Sequence, residues 1–133
     1  MPELPELQAH AERLSDAFSG ATVQGFRPLT FTALKTATPD PASTYGTELT
    51  SVGRRGKYLL LTTSAPSSPV TFVIHLMQGG RLKPDEKQSA KPRGGSARWT
   101  FDDGRALLLT EPGTERKAGV WLVAGDVEAA DPV

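Results

Sequence analysis

The chain contains no cysteine. That excludes a disulfide framework, a cysteine-ligated zinc site and thiol chemistry. Histidine is scarce too: His10 and His75 are the only two, too few for a histidine-rich metal site. No apolar run approaches the roughly 20 residues that span a membrane, so no membrane partner is expected. The first six residues, Met1-Pro2-Glu3-Leu4-Pro5-Glu6, carry acids where an export signal carries basic residues. The expected location is therefore the cytoplasm. What is present is ordinary for one soluble globular domain: 133 residues, 38% apolar and 23% charged. A chain of this length buries a core without metal or disulfide staples.

The formal net charge is zero, but it is unevenly spread. Residues 54–105 hold Arg54, Arg55, Lys57, Arg81, Lys83, Lys87, Lys91, Arg93, Arg98 and Arg105 against Asp85, Glu86, Asp102 and Asp103, a surplus of six positive charges. Such asymmetry reads as a polyanion-binding face on a neutral protein, or as a solvated basic surface.

Leu4, Leu7, Ala11, Leu14 and Phe18 recur every three or four residues, which predicts an amphipathic helix over 3–18 ended by Gly20. Two readings of its start stand side by side. Proline is favoured at the first helical position, and acids suit the positive end of the helix dipole. Equally, a small second residue lets the initiator methionine be trimmed, leaving Pro2 with a free secondary amine. With the Glu3 carboxyl beside it, that amine is an apparatus for Schiff-base chemistry. The helix end would also disfavour the protonated amine and attract phosphate.

From Thr22 onward the pattern is β. Short runs rich in Val, Thr, Leu and Phe predict strands over 22–27, 29–36, 47–54, 57–63, 70–77, 96–102, 105–110 and 118–124. Asp102-Asp103-Gly104 is a hairpin signal. The expected fold is mainly β: one long N-terminal helix and a two-sheet antiparallel β-sandwich of about eight strands. Residues 37–46 and 64–69 read as loops, and 83–95 as a long basic loop, either solvent-exposed or in contact with a polyanion.

Three further segments bear chemistry. In Gly53-Arg54-Arg55-Gly56-Lys57-Tyr58 a tight basic turn precedes an apolar strand. Arg offers a fork and Lys a point charge to phosphate, or the turn is simply basic. In His75-Leu76-Met77-Gln78-Gly79-Gly80-Arg81 a strand runs into a glycine turn. His75 is more often a satisfied strand-end residue than a catalyst. In Glu111-Pro112-Gly113-Thr114-Glu115-Arg116-Lys117 a charged loop joins two strands, with Arg116 and Lys117 candidates to face a nucleic acid and Trp121 read as core.

In that order, Pro-Glu-Leu-Pro-Glu, Arg-Arg-Gly-Lys-Tyr-Leu-Leu-Leu and His-Leu-Met-Gln-Gly-Gly-Arg-Leu, the chain resembles the formamidopyrimidine-DNA glycosylase/endonuclease VIII family. The likeness spans nearly the whole chain as that family's N-terminal catalytic domain. It implies a bifunctional DNA glycosylase/AP lyase of base-excision repair, removing oxidised bases by β/δ-elimination. Pro2 corresponds to the nucleophile and Glu3 to the proton shuttle. Glu6 matches the second acid and Lys57 the lysine at the lesion. Arg54, Arg55, His75, Gln78, Arg81, Arg116 and Lys117 are the DNA-binding candidates. The implied partner is damaged double-stranded DNA, met by a monomer in the bacterial cytoplasm. The target base must leave the duplex to reach the amine. No cofactor is implied within this chain.

The resemblance breaks at two places. Gln78 stands where the family usually has methionine, and Gly113–Lys117 where it carries an Arg-Arg-Phe loop. Those side chains fill the gap left by the flipped base, so lesion and opposite base stay open. Residues 1–124 read as the catalytic domain, with a sandwich over 22–124. Residues 125–133 read as a linker-like tail toward a helix–two-turn–helix and zinc-finger half. Affinity for DNA is largely a sum of phosphate contacts, so weak binding and impaired activity are expected of this domain alone. Two alternatives remain: a non-catalytic nucleic-acid-binding β-sandwich, and a structural or protein-interaction domain.

Overall fold

The stripe of Leu7, Ala11, Leu14 and Phe18 is the buried face of helix α1 (Leu4–Phe18), each residue no more than 3% exposed. This computed structural model describes residues 4–30, 34–35, 40–56, 58–64, 69–76, 80–89, 92, 94–111 and 118–124. The helix stops as its sequence predicts: Gly20 takes φ +92°, and the Ser19 N–H still reaches the Ser15 carbonyl at 2.9 Å. The last turn holds no basic residue of its own. Arg105, from a distant hairpin, supplies the cation. Its guanidinium donates to the Ala17 carbonyl and lies 4.4 Å from the centre of the Phe18 ring.

Eight strands follow among the described residues: β1 (Val23–Pro28), β2 (Leu49–Arg55), β3 (Tyr58–Thr63), β4 (Val70–His75), β5 (Arg81–Pro84), β6 (Gly95–Phe101), β7 (Ala106–Thr110) and β8 (Gly119–Ala124). A one-turn 3-10 helix, Pro41–Thr44, sits between β1 and β2. All ladders are antiparallel, in two four-stranded sheets ordered β1-β6-β7-β5 and β2-β3-β4-β8. This is the expected mainly-β sandwich with one helix. Between the sheets, Phe26, Phe72 and Trp99 meet at centroid distances of 5.0 to 5.7 Å. Each fully buried side chain of this size contributes about 1.5–3 kcal/mol. No described helix is long and apolar enough to cross a membrane.

Two strand assignments change. The expected strand over 29–36 is not one among the described residues. Leu29 and Thr30 donate to the Ser96 carbonyl at 2.8 and 3.3 Å, whereas Leu34 makes a single parallel bridge to Val120. Residues 29–30 therefore bond to one sheet and 34–35 to the other, so these described residues do not share a single ladder. Conversely, β5 lies partly inside the span read as a basic loop. Its signal is the alternation of exposed Arg81, buried Leu82 and exposed Lys83, masked by two charges and Pro84. Proline is tolerated there because β5 is an edge strand.

The rest of that basic loop, where described, folds onto the sheet. Arg98 projects from the middle of β6 to Asp85 at 2.8 Å and the Ser89 carbonyl at 2.7 Å. Both ionic side chains are under 10% exposed. The Asp102–Gly104 hairpin forms as predicted, with Gly104 at φ +90°.

Candidate nucleic-acid interface and active site

The site begins at the junction of α1 with β2. Gln8 and Ser15 face that strand: Ser15 Oγ accepts from the Val52 N–H at 3.1 Å, and Gln8 Oε1 accepts from Arg54 Nε at 3.0 Å. Arg54 also donates from Nη1 to the Gly56 carbonyl at 2.9 Å. One guanidinium therefore ties the first turns of α1 to the β2–β3 turn. Gly56 takes φ +58° in that turn, a conformation that suits glycine.

Register gathers the other candidate segments at the same end. Across the sheet, Arg55 pairs with Tyr58, Tyr58 with His75 and His75 with Gly119. The flanks of residue 57, of 77–79 and of 112–117 thus lie along one edge of sheet β2-β3-β4-β8. Directly opposed residues share a face. Tyr58 and His75 stand edge to face at 5.1 Å, and Tyr58 meets Trp121 at 6.3 Å. All three are half-buried. Trp121, expected in the core, instead faces outward, because alternation along β8 sends Val120 and Leu122 inward.

On the other side of α1 lies a cleft of about 180 Å³, lined by Glu6, His10 and Arg13 of the helix with Leu76, Arg81 and Leu82 across from them. His10 Nε2 bonds the Leu82 carbonyl, which calls for the tautomer with its proton there. Arg81 is exposed and donates to the Gly80 carbonyl at 2.9 Å.

Of the residues singled out in the sequence, Glu6, Arg55 and Arg81 are exposed, and Arg54 and His75 half-buried, at this end of the molecule. Pro2, Glu3, Lys57, Gln78, Arg116 and Lys117 lie outside the described residues. Arg54, chosen for phosphate, serves at least as a brace between helix and turn. Glu111 was missed. It is 7% exposed, and Oε1 accepts from the Ala118 N–H at 3.0 Å. Its own N–H donates to the Gly94 carbonyl at 2.9 Å. One carboxylate so joins the two ends of loop 112–117, a role that no local pattern around Glu111 announces. Part of the basic surplus is spent internally, since Arg98 and Arg105 pair with Asp85 and Asp103.

Residues 1–121 match the family model described as the formamidopyrimidine-DNA glycosylase N-terminal domain. Among curated proteins, the formamidopyrimidine-DNA glycosylase of Chloroflexus aurantiacus is 32% identical over 121 residues, covering 90% of this chain and 41% of that protein. Among solved structures, the MutM (Fpg) protein of Thermus thermophilus superposes with TM-score 0.75 at 23% identity, covering 98% of this chain and 44% of that one. The Lactococcus lactis Fpg, solved in complex with DNA containing an abasic site, superposes with TM-score 0.74 at 16% identity, covering 92% and 44%. The two superpositions speak for the fold. The chain spans less than half the length of these relatives.

Proposed function

The chain belongs to the formamidopyrimidine-DNA glycosylase family by its N-terminal domain, and on that premise we propose that it is the catalytic half of a bifunctional DNA glycosylase/AP lyase that removes oxidised bases in base-excision repair. The observation that carries this reading is the convergence of the first turns of α1, the β2–β3 turn and the His75 strand end at one edge of one sheet. Pro2 precedes α1 by two positions in the sequence, and a helix N-terminus disfavours a protonated amine.

With Met1 removed, the neutral Pro2 amine attacks C1′ of the damaged nucleotide. The C1′–N bond breaks and the base leaves with its electron pair and a proton. Glu3 protonates O4′ as the sugar ring opens, giving an iminium between Pro2 and C1′. Loss of a C2′ proton then expels the 3′ phosphate, and loss of a C4′ proton the 5′ phosphate. Water hydrolyses the iminium and frees Pro2. Glu6 supports the acid, and Lys57 holds the lesion strand. Arg55, His75, Gln78, Arg81, Arg116 and Lys117 contact the DNA, and Arg54 braces the turn that carries Lys57.

In this reading residues 1–124 form the catalytic domain and 125–133 lead toward the half that the relatives carry beyond it. The protein acts on damaged duplex DNA in the bacterial cytoplasm, as a monomer and without a cofactor in this domain. Because affinity sums over phosphate contacts, the isolated domain binds weakly and turns over slowly.

Intact mass, before and after borohydride reduction with abasic DNA, tests the proposal. The expected result is a chain lacking Met1 and a covalent DNA adduct that N-terminal acetylation abolishes. Pro2→Gly, with a primary amine, retains part of the trapping. A trimmed, DNA-saturated chain that yields no adduct would overturn the catalytic reading, and salt-sensitive binding without adduct would favour a non-catalytic nucleic-acid-binding β-sandwich.

A further inference from the structure

The outer face of sheet β2-β3-β4-β8 carries a contact that the motifs do not announce. Three cross-strand rows make up this face: Ser51-Thr62-Thr71-Val123, Gly53-Leu60-Val73-Trp121 and Arg55-Tyr58-His75-Gly119; Thr71, Val73 and Val123 in the first two rows are buried, whereas Arg55 is exposed and Tyr58 and His75 half-buried in the third. None of the twelve residues is acidic. The last row, at the site end, is the one that carries charge.

That row continues past β8. The Leu34 bridge to Val120 and the Lys35 N–H bond to the Val120 carbonyl at 2.8 Å clamp residues 34 and 35 along the free edge of β8. The exposed Lys35 side chain then lies across Gly119. A Cβ placed on Gly119 would meet Lys35 Cε at 2.6 Å, Cγ at 3.2 Å and Cδ at 3.4 Å. Such a Cβ points to the same face as its partner His75. Glycine at 119 therefore leaves a track in which the lysine stem runs over the sheet, carrying the ammonium onto the His75 and Tyr58 face. Among the described residues no carboxylate pairs with Lys35.

We propose that Lys35, seated across Gly119, is a phosphate contact that extends the DNA surface over the full width of the sheet. Four inter-strand steps of about 4.8 Å separate β2 from residues 34–35, so Arg55 and Lys35 bracket roughly 19 Å. At about 3.4 Å of axial rise per phosphate, that length spans five to six phosphates of one strand. The two cations flank the Tyr58–His75 pair, an arrangement that follows a nucleic-acid backbone, and none of the three cross-strand rows holds an acid to repel it. The inference rests on the DNA-binding reading of this site and adds to it a residue that lies outside every motif.

The test is the salt dependence of duplex binding. Binding of the full chain to abasic duplex DNA is measured by fluorescence anisotropy from 0.03 to 0.2 M salt, concentrations chosen to span the usual range on the order of 0.1 M. Lys35→Gln is expected to lower the slope of log K against log salt by about 0.9, the loss of one phosphate contact, and to weaken binding roughly three- to eightfold near 0.1 M. Gly119→Ala removes no charge, and its backbone is outside the left-handed region. It displaces the lysine end instead, and is expected to shift the slope in the same direction. Arg27→Gln, an exposed cation on the other sheet, is expected to leave the slope unchanged. A Lys35→Gln slope equal to the parent's overturns the inference while leaving the catalytic proposal intact. A parent chain with no salt-dependent binding to abasic duplex overturns both, whereas failure of borohydride trapping with binding retained overturns only the catalytic steps.

Discussion

Arg98→Met is the perturbation that most directly tests how this structure disposes of its basic residues. Arg98 and Asp85 meet at 2.8 Å with side chains 9% and 8% exposed. At that separation, with an effective dielectric of about 20, their attraction is roughly 6 kcal/mol. Removing two ions from water costs several kcal/mol each, so the intact pair contributes little net stability. Breaking it is another matter. Arg98→Met leaves the Asp85 carboxylate buried, held by the Gln88 N–H 3.1 Å away, and strands the Ser89 carbonyl that Arg98 had satisfied. The expected cost is about 3–5 kcal/mol. Asp85→Leu, which strands the guanidinium, costs a similar amount. The double variant costs less than either single one, so the coupling is at least about 3 kcal/mol. Urea denaturation with an unchanged m-value measures each corner of the cycle, and hydrogen exchange of residues 85–89 reports whether the segment lifts. If Arg98→Met costs less than about 1 kcal/mol, or if the single effects simply add, the pair is not the buried anchor described. Segment 85–89 would then regain its reading as a polyanion contact.

Two other expectations concern the turns. A Cβ at Gly80 would sit 2.2 Å from the Leu76 carbonyl oxygen, so Gly80→Ala must open the turn closed by the 2.8 Å bond from the Gly80 N–H to that oxygen. The expected loss is about 2–4 kcal/mol from overpacking and the lost bond. Gly53→Ala, where an added Cβ meets nothing within 4 Å, serves as the near-neutral control, and equal melting temperatures for the two variants would contradict the geometry. At the β6–β7 hairpin, Asp103 is held below its ordinary value of 3.8, first by the side-chain hydrogen bond from Arg105. The pair's contribution is therefore complete above 3.8 and fades as pH falls through the lowered value. A carboxyl-carbon NMR titration is expected to find the Asp103 midpoint below 3.8, rising in Arg105→Leu, and an unmoved midpoint would contradict the pairing.

How much of the protein could be read along its length depends on whether the information is local. Helix α1 was legible because Leu7, Ala11, Leu14 and Phe18 state their shared face by spacing alone, and Gly20 states the end. Seven of the strands were legible by the same logic of composition and turns. β5 was not, because at four residues its alternation is too short to outweigh Arg81, Lys83 and Pro84. Segment 29–36 misled because its β-rich composition does not say that the chain changes sheets on the way.

Residue order alone determined the helix, the β character and the chemistry on offer: an amine and an acid at the start, a basic turn, a histidine before a glycine turn. Tertiary structure decided which groups face which. The pairing of β1 with β6 and of β4 with β8 joins residues far apart in the chain, a choice made by burying both sheet faces at once and not by any local preference. That choice leaves Arg98 on the face away from the core, where Asp85 covers it, and lays Lys35 over Gly119. It also bonds Glu111 to Ala118 and sets the half-buried Trp121 beside Tyr58. Charge is a property of a residue, but its availability is a property of its burial and partners, and those are set only when distant segments pack.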